Sequence, residues 1–274
     1  MAGEGKAGVR ESAPSKKKRP LETVAPSRGG DLLFRATAAV VRRALDLAMK
    51  RSWKGVEKLP RDQGYIVVAN HVTEVDPLTV AYLVYMSGTI PRFLAKESLF
   101  RIPVVGTILH RTAQIPVFRG SMDARKSLES ARAVIDAGGA VLIYPEGTLT
   151  KDPDLWPMAG RSGAARLALA TGAPVVPIAH WGDQEFLAPK ATKPQFFPRK
   201  TAHVLVGDPI DLSDVRAENR TDHVSRDALA EATERMMDAL TGLVEQLRGE
   251  KAPEGRWDPR LNRRVPRTSG KTAR

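Results

Sequence analysis

From residue 65 onward, short apolar runs alternate with segments of helical periodicity, and no other feature of the chain limits its fold as tightly. Tyr65–Ala69, Arg92–Ala95, Ala113–Phe118, Ala140–Tyr144, Val175–Ala179 and Ala202–Val206 have the length and composition of buried strands. Helical patterns cover Pro77–Met86, Met122–Ala137, Gly163–Ala170 and Ser225–Arg248. The second of these has Ser121 as its N-cap and Gly138 as its end. Leu229, Ala232, Met236, Leu240, Leu243 and Leu247 form one stripe along the last. The alternation predicts an α/β fold, with a mixed, largely parallel sheet flanked by helices. In such folds the reacting groups sit in loops at strand ends.

The chain ends differ from this middle. Residues 1–30 hold seven Lys or Arg against three Glu, and residues 251–274 hold eight against two acids. Both are rich in Pro, Gly and Ser and poor in large apolar residues, so both read as disordered basic segments. They supply most of the formal charge of +12 and leave residues 31–250 close to neutral. A nucleic-acid reader should be basic on its folded domain too, so nucleic acid is not an expected partner. "KKKRP" at Lys16–Pro20 reads instead as a solvated arm able to touch anionic surfaces. The absence of cysteine removes disulfides, thiolate metal sites and a cysteine nucleophile, and fits an intracellular protein. The first thirty residues are too polar for a secretory signal. No run reaches the roughly 18 apolar residues of a transmembrane helix.

"DLLFRATAAVVRRALDLAMKRSW", Asp31–Trp53, reads as one amphipathic cationic helix. Leu33, Phe34, Val40, Val41, Ala44, Leu45 and Ala48 recur at helical spacing, with Thr37 the polar member of the stripe. Two uses fit such a helix. It can lie in a bilayer interface, or it can pack on the protein's own core.

In "YIVVANHVTEVDPLTV" a buried strand ends on Asn70 and His71, and Asp76-Pro77 follows. On a continuous helix this spacing turns the His and Asp away from one another. The sequence supplies a bend, because a residue before proline avoids the α region, Asp is a preferred N-cap and Pro a preferred first helical residue. His71 then ends the strand, residues 72–75 turn, and Asp76 caps the next helix close to the imidazole. A carboxylate on one ring nitrogen fixes the tautomer and stabilises the imidazolium formed when the other nitrogen takes a proton. The pair is a candidate general base. His203 and Asp208 repeat the spacing, but along one extended strand and its exit, which holds them about 15 Å apart.

A second buried strand stops abruptly in "YPEGTLT". Glu146 is costly there unless paired, Gly147 permits close backbone approach, and Thr148 offers a hydroxyl. Such a turn can hold a polyol or a phosphate, or it can be a plain strand exit.

Together these segments resemble the glycerolipid acyltransferases, in particular the 1-acyl-glycerol-3-phosphate (lysophosphatidate) acyltransferases. The resemblance runs from Lys54 to Ile210. It rests on "NHVTEVDP", on Phe93–Gly120 ending at Arg119, on "YPEGTLT", and on "APVVPIAHWG" with Val176-Pro177-Ile178 at its centre. The late strand "VLVGDPI" continues it. Leu149 stands where that family usually has an arginine, and Thr150 where it has a serine.

The resemblance implies an acyltransferase domain over 54–250. It implies transfer of an acyl group from acyl-CoA or acyl carrier protein to a lysolipid hydroxyl, with lysophosphatidate as the expected acceptor. Another lysolipid or a glycerol phosphate is the alternative. His71 and Asp76 would be catalytic. Arg119, Glu146, Gly147 and Thr148 would hold the glycerol phosphate, and Lys96 is a further phosphate candidate or a solvated charge. Neither a metal nor a resident cofactor is required. A lipid acceptor implies peripheral contact with the cytoplasmic face of the membrane, through the Asp31–Trp53 helix and the basic ends. A hydrolase built on the same dyad is a rival, although Gly-x-Ser-x-Gly is absent.

Overall fold

The computed structural model describes residues 32–117, 123–217 and 224–267. The elements run α1 (Leu32–Ala48), β1 (Met49–Lys54), β2 (Tyr65–Ala69), α2 (Asp76–Met86), β3 (Pro91–Lys96), α3 (Val105–Arg111), β4 (Ile115–Val117), α4 (Asp123–Asp136) and β5 (Ala140–Ile143). They continue with α5 (Gly163–Thr171), β6 (Val175–Trp181), α6 (Asp183–Phe186), β7 (Lys200–Val206), α7 (Ser213–Ala217), α8 (Arg226–Arg248), β8 (Arg256–Asp258) and β9 (Arg263–Val265). Seven strands form one sheet in the order β1-β7-β6-β2-β5-β3-β4. Every pairing in it is parallel except β6 with β7.

Period-two alternation sorts the strand residues onto two covered faces. Ile66, Val68, Val141, Ile143 and Val175 point into a core closed by α4, α5 and α8. Tyr65, Val67, Ala69, Leu142, Val176 and Ile178 point into the opposite core, closed by Val80, Leu83 and Val84 of α2. Burial on both faces is why "YIVVA" reads as a continuous apolar run. On α8 the Ser225 side chain accepts from Ala228 N at 3.1 Å, and Gly249 ends the helix at φ 69°. Ala232, Met236, Met237 and Leu240 are fully buried along it.

The expected helix over Asp31–Trp53 divides. It ends at Ala48, and Met49–Lys54 form an edge strand in parallel register with Lys200–Leu205. Edge pairing with β7 overrides a helical pattern whose last turn was mostly basic. The inward stripe of α1 also differs from the expected one. Phe34, Leu45 and Ala48 are buried, whereas Val40 is 69% exposed and Ala44 faces outward too. The Phe34 ring meets Tyr85 of α2 at 5.7 Å, so α1 packs on the protein itself.

Of the disordered tail expected over 251–274, the described part, residues 251–267, is ordered. Residues 256–265 form an antiparallel hairpin. Composition missed it because acidic partners hold it in place of apolar ones. Arg256, 3% exposed, pairs with Glu234 and Asp238 of α8. Arg264 pairs with Asp152 at 2.5 Å and Asp154 at 3.1 Å. Asp238 is half exposed, so removal of its partner costs the low end of the scale for a broken buried pair. Arg256→Ala is expected to destabilise the fold by about 3 kcal/mol, read as a lower melting temperature. The Ser121 cap lies outside the described residues.

Candidate active site

Three adjacent parallel strands, β6, β2 and β5, end at the same edge of the sheet. The registers Ala69↔Ile178 and Val68↔Ile143 bring Asn70 and His71, Tyr144 to Glu146, and His180 together just beyond it. In parallel sheets this carboxyl edge is where ligand groups collect.

His71 Nδ1 lies 3.1 Å from Asp76 Oδ2. The same oxygen accepts the backbone N–H groups of Val72 at 2.5 Å and Thr73 at 2.7 Å. Asp76 therefore closes the turn behind His71. It is the first residue of α2, and the N-cap position belongs to Val75, which corrects the expected capping role. Asp76 is fully buried and the His71 side chain 17% exposed, so the imidazole alone of the pair reaches outward. Tyr144 stacks on the His71 ring at 4.2 Å and 29°.

The turn after β5 grips the His71 backbone from both sides. His71 N donates to Glu146 Oε1 at 3.0 Å, and Thr150 N donates to His71 O at 2.6 Å. Glu146 Oε2 accepts from Met158 N at 3.1 Å. Burial pushes the Glu146 carboxyl up to about 8, against the pull of the Met158 and His71 N–H groups. Both of its oxygens face backbone donors, so it braces His71 from within. Gly147 turns at φ 71°, a conformation that disfavours any side chain. Its N–H donates to Tyr144 O at 2.9 Å.

The acyltransferase family model matches residues 50–181. That match takes in just under half of the chain, and over it the protein resembles the acyltransferase family. It is 34% identical over 137 residues to a chloroplastic 1-acyl-sn-glycerol-3-phosphate acyltransferase of Brassica napus, an alignment covering 48% of this chain and 38% of that one. It is 31% identical over 157 residues to the 1-acyl-sn-glycerol-3-phosphate acyltransferase of Borreliella burgdorferi, covering 57% and 61%. The chain thus spans less than two thirds of either relative. The crystal structure of the 1-acyl-sn-glycerophosphate acyltransferase PlsC from Thermotoga maritima shares the fold, with a TM-score of 0.58 and 23% identity over 80% of this chain and 81% of that one.

Of the other site residues that the resemblance implied, Thr148 is exposed on the turn after β5. Lys96 is exposed at the end of β3, two strands from β2 in the sheet order. Arg119 lies outside the described residues. His203 is exposed on β7, and Asp208 pairs with Lys58 at 3.0 Å, so the second His-x4-Asp spacing builds no dyad. Sequence reasoning missed Asn70, Tyr144, His180 and Asp183. A signal was present for His180: a histidine inside an apolar strand of a motif already singled out needs a buried partner.

Proposed function

We propose that this protein is an acyltransferase that moves a fatty acyl group from a thioester, acyl-CoA or acyl carrier protein, to the free hydroxyl of lysophosphatidate, giving phosphatidate. The observation that carries the reading is the 3.1 Å contact of His71 Nδ1 with Asp76 Oδ2, which leaves Nε2 for substrate. An oxygen that also accepts two backbone N–H groups belongs to a carboxylate anion. His71 Nε2 takes the hydroxyl proton as the lipid oxygen attacks the thioester carbonyl. The carbon–sulfur bond then breaks, and the imidazolium returns that proton to the departing thiolate. No acyl-enzyme forms, because the acceptor's own oxygen is the nucleophile. The names of both curated relatives support the acceptor. Arg119, Gly147, Thr148 and Lys96 are the proposed phosphate and glycerol contacts, and exposed Lys151 stands in for the arginine that Leu149 replaces. An apolar cavity of about 170 Å³ between α1, α2, β3 and α3, lined by Leu78, Ala81, Tyr82 and Tyr85 of α2, is the proposed site of an acyl chain. The test is incubation of purified protein with labelled acyl-CoA and a panel of lysolipids, with products identified by mass. Phosphatidate is the expected product; free fatty acid in its place would point to a hydrolase.

A lipid acceptor requires access to a bilayer, and no described helix is long and apolar enough to cross one. Peripheral contact is proposed through the segment around α3. Leu99, Ile102, Val104, Val105 and Ile108 are 39–70% exposed there. Val104 holds φ 68° and ψ −60°, closed by Val105 N to Pro103 O at 2.8 Å. That γ-turn strains a β-branched residue by about 1–3 kcal/mol and leaves its side chain outermost. Lys96, Arg101 and Arg111 flank the patch and favour anionic headgroups. Val104→Asp is expected to weaken binding to anionic vesicles about tenfold or more, from the lost burial of one valine and the added charge. Sedimentation with vesicles measures it, and unchanged binding would assign the contact to another surface.

A further inference from the structure

Behind the dyad lies a second acid–imidazole pair that the reaction above leaves unused. His180 in β6 is 1% exposed and Asp183, at the start of α6, is 0% exposed. Three contacts tie His180 to Asn70. His180 N donates to Asn70 Oδ1 at 3.0 Å, Asn70 Nδ2 donates to His180 O at 3.1 Å, and His180 Nε2 meets Asn70 O at 2.5 Å. The last contact settles one proton, because a carbonyl only accepts and Nε2 must carry the hydrogen. Nδ1 faces Asp183 Oδ2 at 3.5 Å. Neither Nδ1 nor either Asp183 oxygen has a tight hydrogen-bond partner among the described residues.

The two buried aspartates are therefore chemically unlike. Asp76 Oδ2 accepts from three N–H groups. Among the described residues Asp183 accepts from no N–H group, and as an anion it would cost several kcal/mol that the nearby Thr79 hydroxyl offsets only in part. We propose that Asp183 is a neutral, protonated acid that donates to His180 Nδ1, fixing the tautomer whose Nε2–H holds the Asn70 carbonyl, one peptide before His71. His180 and Asp183 are then positioning residues, acting on the general base through the backbone that carries it.

Charge balance favours the same state. His180 Nε2 is 3.6 Å from Asp76 Oδ2. An imidazolium there would compete with His71 for the carboxylate just when His71 becomes charged, whereas a neutral pair leaves that charge to His71. Burial raises the Asp183 carboxyl to about 7 and the Asp76 charge pushes the same way, while His180 and the Thr79 hydroxyl pull it down. The buried Tyr144 hydroxyl also lies in the field of both acids, and buried Glu146 in that of Asp76. Asp76, His180 and Asp183 also offer ligand atoms within 4.8 Å of one another, so a bound cation is the competing occupant.

The inference rests on His71 being the general base, a premise tested separately by the loss of acyl transfer in His71→Ala. The state of His180 is read independently of turnover, from ¹⁵N spectra of histidine-labelled protein at about pH 6. The expected result is a neutral ring with its proton on Nε2, in the wild type and in Asp183→Asn. The asparagine amide donates to Nδ1 as the acid does, so this variant keeps kcat within about threefold. Asp183→Ala removes the donor and is expected to lower kcat tenfold or more with KM little changed, the scale of a small misplacement of a reacting group. His180→Gln, whose amide can still reach the Asn70 carbonyl, loses less than His180→Ala. If Asp183→Ala fails to fold, the Asn and Gln comparisons and the spectrum decide. An imidazolium at His180, an Asp183→Asn loss as deep as that of Asp76→Asn, or a stoichiometric divalent ion in the purified protein would each overturn the proposal.

Discussion

Replacement of His71 by alanine is expected to lower kcat by about 10²–10⁴-fold, the range for loss of a positioned general base. The fold should survive. The ring is partly exposed, and its contacts to the protein are one hydrogen bond and one stacked tyrosine. Asp76 keeps two of its three donors, Val72 N and Thr73 N, so no buried charge is orphaned. The grip of Glu146 and Thr150 on residue 71 is through the backbone and does not depend on the side chain. A melting curve close to that of the wild type, beside transfer from labelled acyl-CoA reduced a hundredfold or more, is the expected pair of results. Wild-type turnover by this variant would remove His71 from the mechanism.

The sheet was legible because its strands are buried on both faces. Tyr65–Ala69 announces itself by composition alone, and the observed strand has the same bounds. Helices with a cap or a proline at the start were equally plain, as at Pro77 and Ser225. Two features were hidden by the kind of force that holds them. Met49–Lys54 is a strand only because β7 offers an edge, and nothing local in "MKRSWK" announces it. The hairpin at 256–265 is held by arginines on distant acids, which composition reads as solvated charge.

The dyad was legible from spacing plus a proline-directed bend. Its supports were not, since Tyr144, His180 and Asp183 reach it only through strand register. Glu146 was noticed as a costly buried acid, yet its service to the His71 backbone could not be read from a strand 75 residues away.

Asp76→Asn should cut kcat by about 10³–10⁴-fold with KM nearly unchanged, the effect expected when the anion behind a catalytic imidazole is neutralised. Asparagine has one acceptor oxygen and one donor nitrogen to place where the aspartate has two acceptors. If the oxygen takes the Oδ2 position, Val72 N and Thr73 N keep their partner and the turn holds. His71 then forms its imidazolium without a counter-charge at 3.1 Å. At an effective dielectric near 20 that loss is about 5 kcal/mol, or on the order of several thousandfold. If the amide nitrogen turns toward His71 instead, it demands the tautomer whose proton sits on Nε2, which cannot accept from the substrate. Both arrangements fail at the proton transfer and neither touches the lipid, which is why kcat moves and KM does not. Alanine is the poorer probe, since it strands two backbone N–H groups at about 1–3 kcal/mol each and mixes misfolding with chemistry. A wild-type kcat for the asparagine variant would mean that His71 works without its acid. It would also leave the Val72 and Thr73 N–H groups as the sole reason for a carboxylate at position 76.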